Sequence, residues 1–99
     1  MIKTITVEEL NKVKNDDSIQ LIDVREPSEY EENNIGGELI PLGDIPKSLD
    51  RVNQDKKVVI MCRSGKRSLN AAEIIADQLG FDEVYNLTGG ILAWDEKIR

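Results

Sequence analysis

Residues 58–72 read VVIMCRSGKRSLNAA and hold the only cysteine of this 99-residue chain. Cys62 follows an apolar run and is followed within five residues by Arg63, Gly65, Lys66 and Arg67. A thiol between a strand and a helix is ordinarily a small buried hydrophobe. Three cations and a glycine beside it point instead to a nucleophile, because the reactive form of cysteine is the thiolate and nearby positive charge favours it. The chain has no histidine, so neither a Cys–His dyad nor an ordinary zinc site can be assembled, and one cysteine cannot form a C-x-x-C pair. Activation must come from the backbone and the loop. A free thiol with pKa ~8.5 is only a few per cent ionised near neutrality; lowering it by about two units takes roughly 2.7 kcal/mol of anion stabilisation. The positive end of a helix and neighbouring cations, about 1 kcal/mol each, together reach that range.

The elements that must position this thiol alternate along the chain. Ile2 to Ile5 is a strand, and Thr6 caps a helix in TVEE with Glu9 reaching back and Val7, Leu10 and Val13 as its apolar stripe. Ile19 to Val24 is a second strand, and Pro27 opens a short helix over residues 28–32. Leu39-Ile40-Pro41 reads as a short edge strand, since proline cannot donate to a ladder. Residues 46–53 read as a helix with Leu49 and Val52 facing inward. Val58 to Met61 is apolar throughout, as in a strand covered on both faces. Leu69, Ala72, Ile75, Ala76 and Leu79 recur at helical spacing up to a Gly80 cap. Val84 to Leu87 is the last strand, Gly89-Gly90 the last turn, and residues 91–98 a terminal helix.

Five strands alternating with helices predict an α/β fold, a central, mainly parallel sheet with helices on both faces, as a single domain over residues 1–99. In such sheets the ligand site lies beyond the carboxyl ends of the strands, where Cys62 falls. Peptide N–H groups of a tight loop and of the helix start after it converge there into a socket for negative charge. The net charge of −6 opposes nucleic-acid binding and attachment to a membrane surface, and no apolar run approaches the ~20 residues that span a bilayer. With Glu8 and Glu9 near the start, where a signal peptide would be apolar, a cytoplasmic protein is expected.

LIDVREPSEY at 21–30, IPL at 40–42, CRSGKRS at 62–68 and NLTGGILAW at 86–94 together resemble, in order and spacing, a single-domain rhodanese of the sulfurtransferase superfamily. The resemblance implies that Cys62 is the nucleophile that carries a persulfide and that Arg63, Ser64, Gly65, Lys66 and Arg67 complete a six-residue cradle. It also implies that Asp23 and Arg25 support the site from the neighbouring strand end, where a structural role is the simpler one. Expected partners are a small sulfur donor such as thiosulfate or a persulfide, and a thiophilic acceptor: cyanide, a thiol or an acceptor protein. No metal and no cofactor are expected, and the chain should be a monomer or weak dimer.

Two other classes stay open on the residues. Cysteine phosphatases also seat a thiolate in an anion-binding loop, but with five residues between cysteine and arginine; here four intervene between Cys62 and Arg67. A non-catalytic binding module on the same fold often lacks the cysteine. The chain departs from the family at Asn33-Asn34-Ile35-Gly36-Gly37, where a Gly-His-Ile-Pro-Gly-like segment is common, which leaves open the packing beside the site. Trp94 is expected to anchor the last helix, Gly89-Gly90 to give backbone freedom, and Glu26, Glu29, Glu31 and Glu32 to form a solvated face.

Overall fold

A computed structural model describes residues 2–99. Its strands are β1 (Lys3–Ile5), β2 (Ile19–Asp23), β3 (Glu38–Leu39), β4 (Lys57–Met61) and β5 (Val84–Leu87). Its α-helices are α1 (Val7–Val13), α2 (Pro27–Glu32), α3 (Lys66–Leu79) and α4 (Gly90–Lys97). The strands form one sheet in the order β1-β5-β4-β2-β3, and every pairing is parallel. This is the α/β architecture that the alternating pattern predicts, with β4 in the middle and β3 at an edge.

Alternation along β4 divides the core. Val58 and Ile60 face a cluster with Ala71, Ala72 and Ile75 of α3, whereas Val59 and Met61 face one with Val7 and Leu10 of α1 and Ile91 and Trp94 of α4. Both sides of the central strand are thereby removed from water, which explains its unbroken apolar sequence. Trp94 is buried in the second cluster, the anchor expected of it.

Local signals act as read. Thr6 Oγ1 accepts from the N–H of Glu9 at 3.1 Å, and Glu9 Oε1 accepts from the N–H of Thr6 at 2.9 Å, a reciprocal cap. Gly80 closes α3 with φ +59°. Two expectations need correction. Residues 46–53 are not an α-helix: the segment is two 3-10 turns, Leu42–Lys47 and Leu49–Arg51. Pro46 lies inside the first and can donate no backbone hydrogen bond, so an α-helical ladder is interrupted there. Leu69 is not on the buried stripe of α3 but 42% exposed; Ser68 takes the inward position beside Ala71, Ala72 and Ile75.

Candidate active site

Strand β4 delivers Cys62 to the carboxyl end of the sheet, and α3 begins four residues later at Lys66. The intervening turn depends on Gly65, the N-cap of α3, whose φ of +105° lies in the left-handed region that other residues rarely adopt. This backbone reversal aims the N–H of Gly65 back at Cys62 Sγ, which accepts at 3.1 Å. The carbonyls of the same loop point the other way. Cys62 O accepts from the N–H of Ile91 at 2.9 Å, and Arg63 O from the N–H of Leu92 at 3.1 Å. The first turn of α4, whose N–H groups have no partner within their own helix, thus takes up the loop carbonyls and leaves the loop N–H groups for the sulfur.

Cys62 is 1% exposed, so its sulfur sits on the floor of the loop rather than at the tip. Burial pushes the thiol pKa up and is the largest single influence on it. The Ser68 hydroxyl and the N–H groups of Ser68, Gly65 and Ser64 together outweigh burial, and the net direction is down from the ordinary value. Hydrogen bonds, more than the cations that draw attention in the sequence, cause that fall; of the cations, Arg67 is also in electrostatic contact with the sulfur.

The cations divide by role. Arg67 is held by Glu29 of α2 in a two-pronged pair, Nη1 to Oε1 at 2.7 Å and Nη2 to Oε2 at 2.9 Å. The Arg67 hydrogen bonds pull the Glu29 carboxyl down to about 2, and Glu29 raises Arg67 in return. Arg63, Ser64 and Lys66 are exposed, and neither Arg63 nor Lys66 makes an ion pair among the described residues. Beside Arg63 lies a cavity of about 190 Å³ lined also by Arg25, Glu29, Glu32, Asn33, Ile91, Leu92 and Asp95.

Asp23 and Arg25 form a brace at the end of β2. Arg25 Nη2 donates to Asp23 Oδ2 at 2.8 Å, Nε donates to Oδ1 at 3.0 Å, and both residues are buried. Arg25 Nη2 also donates to Asn33 O at 2.7 Å, which ties the strand end to the chain just after α2. The N–H of Val24 donates to Met61 O at 3.0 Å, so the brace adjoins the strand that carries Cys62. The Asn33–Gly37 segment has its own anchors: Asn33 Nδ2 donates to Asp95 Oδ2 of α4 at 2.8 Å, and Ile35 is buried.

The structure therefore brings Cys62, Ser64, Gly65 and Arg67 together, leaves Arg63 and Lys66 at the rim, and sets Asp23 and Arg25 alongside. Sequence reasoning missed three neighbours. Glu29 stood in an acidic run that reads as a solvated face. Ser68 and Asn86 are the other two, both buried and polar; Ser68 Oγ lies 3.3 Å from Cys62 Sγ and donates to Asn86 Oδ1 at 2.5 Å. A polar residue at an inward position of an apolar helix and another inside an apolar strand were the available signals. Among the described residues no group of three or more histidine, cysteine, aspartate or glutamate side chains could hold a metal.

A parallel α/β sheet with a cysteine-bearing anion loop at its carboxyl edge defines the class. The family model described as a rhodanese-like domain matches residues 6–97, and the chain belongs to that family. A proposed sulfurtransferase of Bacillus subtilis, YtwF, is 41% identical over 100 residues, covering 99% of this chain and 95% of the relative. The thiosulfate sulfurtransferase GlpE of Shewanella oneidensis is 30% identical, covering 95% and 93%. The crystal structure of a rhodanese-related protein from Thermoplasma volcanium superposes with a TM-score of 0.86 at 29% identity, over 97% of this chain and 93% of that one. These likenesses support rhodanese-type sulfurtransferase activity in general.

Proposed function

We propose that the chain transfers a sulfane sulfur through a persulfide on Cys62. The observation that carries this reading is that Cys62 Sγ lies within hydrogen-bonding distance of the Gly65 N–H and the Ser68 hydroxyl, at 3.1 and 3.3 Å, on the floor of a histidine-free loop. Such an arrangement stabilises an anion and cannot shuttle a proton in the manner of an imidazole. It suits a reaction that needs charge held and no proton moved.

Sulfur transfer from thiosulfate meets that condition. The Cys62 thiolate attacks the outer sulfur of thiosulfate; the new S–S bond forms as the old one breaks, and sulfite leaves with the bonding pair. The outer sulfur of the resulting Cys-S-S⁻ carries the negative charge. Cyanide then attacks that sulfur, thiocyanate departs, and the Cys62 thiolate is regenerated. Charge is conserved in both halves, and neither requires an acid or a base. A thiol or an acceptor protein can replace cyanide, and a persulfide can replace thiosulfate. Arg63 and Lys66 at the rim draw in an anionic donor, Arg67 is spent on Glu29, and Asp23 with Arg25 holds the neighbouring strand end.

Intact mass after incubation with thiosulfate tests the carrier step: the protein should gain one sulfur atom, removable by cyanide. Cys62→Ser should keep its circular dichroism and lose both the mass gain and thiocyanate production. Thiocyanate formed at the wild-type rate by C62S would overturn the assignment.

A further inference from the structure

Behind the nucleophile, Ser68 has no exposed surface and Asn86 is 9% exposed. Buried polar groups are costly unless bonded, so their orientations are constrained. The Asn86 amide is fixed by its Nδ2, which donates to Gly65 O at 3.0 Å, an atom that can only accept. Its Oδ1 therefore faces Ser68 and can only accept from it. The Ser68 hydroxyl has one proton and two acceptors in reach, Asn86 Oδ1 at 2.5 Å and Cys62 Sγ at 3.3 Å. It cannot serve both fully.

We propose that Ser68 is a positioning residue whose hydroxyl turns its single proton between Asn86 Oδ1 and Cys62 Sγ as charge leaves and enters that sulfur, with Asn86 holding the proton in the interval. When Cys62 is a thiol, its S–H donates to Ser68 Oγ and the hydroxyl donates to Asn86. When the sulfur is a thiolate, the hydroxyl turns to it, because a charged acceptor makes the stronger bond. In the persulfide the charge sits on the outer sulfur, Sγ becomes a weak acceptor, and the hydroxyl returns to Asn86. As the acceptor takes the outer sulfur, Sγ is the leaving group and recovers the hydrogen bond. Only a C–O torsion changes, so no bond to hydrogen breaks.

The device rests on the sulfur-transfer reading for its role in turnover, but its first readout does not. The charged groups around the sulfur are Arg63 and Lys66 of the loop, Arg67 with Glu29, and the Asp23–Arg25 pair at the end of β2. On β5 only Tyr85 titrates, and it alternates away from Asn86 with its hydroxyl on Glu83. The first turn of α4 is uncharged. Substitutions at Ser68 and Asn86 leave all of these in place.

The experiment is a thiol titration by ultraviolet thiolate absorbance, which needs no reagent to reach the buried sulfur, on the wild type, S68A, S68T and N86A. S68A should raise the apparent thiol pKa by about one unit, a tenfold lower thiolate-to-thiol ratio at a pH below both midpoints. S68T keeps the hydroxyl and should titrate close to the wild type. N86A removes the rival acceptor and should move the midpoint the other way, down. S68A titrating as the wild type, or S68A and N86A shifting in the same direction, overturns the proposal. Should S68A not fold, S68V, matched in shape to S68T but without the hydroxyl, takes its place: a midpoint equal to that of S68T overturns the proposal. Discharge of the persulfide to cyanide, followed in parallel, should be slower in S68A because its leaving thiolate is less stabilised. A wild type that titrates as described but gains no sulfur from thiosulfate defeats the transfer reading and leaves the hydroxyl switch standing.

Discussion

Gly80 and Gly90 share nearly the same φ, +59° and +58°, yet an added methyl group meets different surroundings at the two sites. At Gly80 a Cβ finds nothing within 4 Å, so G80A is expected to cost only the left-handed strain of about 1 kcal/mol. At Gly90 the Cβ lies 2.4 Å from Arg63 O, 2.5 Å from Cys62 O and 2.6 Å from Arg63 C, well inside the 3.0 Å that real contacts keep. These atoms belong to the backbone of the cysteine loop and cannot rotate aside. G90A must push the loop off α4 and stretch the bonds from Ile91 and Leu92 to the same two carbonyls. With strain of about 1–2 kcal/mol and two weakened hydrogen bonds of about 1 kcal/mol each, the expected loss is about 3–4 kcal/mol. That is a large share of the ~5–15 kcal/mol that holds a small domain together. The catalytic effect should be larger in proportion, because carbonyls that lose their anchor release the N–H groups aimed at Sγ, and misplacement by about 1 Å can cost 10²-fold in rate. Urea unfolding and thiosulfate-to-cyanide transfer, measured at a temperature where circular dichroism shows both variants folded, make the comparison. G80A should transfer sulfur as the wild type does, and G90A should be at least about tenfold slower with a raised thiol pKa. Equal stability losses with equal transfer rates would refute the view that α4 holds the loop in shape.

Glu29 gives a pH-dependent counterpart. Its carboxyl is held at about 2 against an ordinary 4.5, so the Arg67 pair stabilises the fold above pH ~4.5 and that contribution is lost as the pH falls toward 2. Both side chains are about one-third exposed, at 29% and 35%, so solvent screening reduces the contribution to about 1–2 kcal/mol. E29Q should be less stable than the wild type at pH 7 by that amount in urea unfolding, and the gap should narrow below pH ~4.5 and close only near pH 2; a constant gap across the range contradicts the linkage. At the other brace, D23N leaves the Arg25 guanidinium buried without its carboxylate and should cost about 3–5 kcal/mol. A double-mutant cycle with R25Q should return a coupling above about 1 kcal/mol, and coupling near zero would show that the pair does not act as a unit.

The strands and long helices were legible because each is over-determined locally. Val58 to Met61 has no polar residue to place in water, and TVEE carries both halves of a reciprocal cap. The 42–51 segment was not, because Leu49 and Val52 are spaced as in a helix and do face inward, while the hydrogen-bond pattern that separates a 3-10 turn from an α-helix is set by Pro46 and by packing on α3. At the site, Cys62 and Gly65 were legible from residue type and order. Ser68 was hidden by its neighbour: Leu69 looks like the core residue, and only the phase of α3, fixed by Ala71, Ala72 and Ile75, turns Ser68 inward. Arg67 could be seen as a cation but not as a paired one, since Glu29 lies 38 residues away in sequence. Pairing of that kind depends on the fold that brings α2 beside α3.

Correcting the electrostatics of the loop changes what the cations are for. A point charge at the rim acts through water and is screened over roughly 10 Å at moderate salt. A hydrogen bond to the sulfur acts at contact, inside the loop, where little solvent intervenes. In the proposed transfer the two kinds of group therefore meet two separate needs. Arg63 and Lys66, exposed and without an ion pair among the described residues, can raise the local concentration of an anionic donor without fixing its position. Gly65, Ser68 and the carbonyls turned toward α4 set the energy of the sulfur and leave little freedom in its placement. Arg67 does both structural and electrostatic work: bound in two prongs to Glu29, it fastens the first turn of α3 to α2 and so maintains the geometry in which short-range dipoles hold the anion, and its charge adds attraction for the Cys62 thiolate.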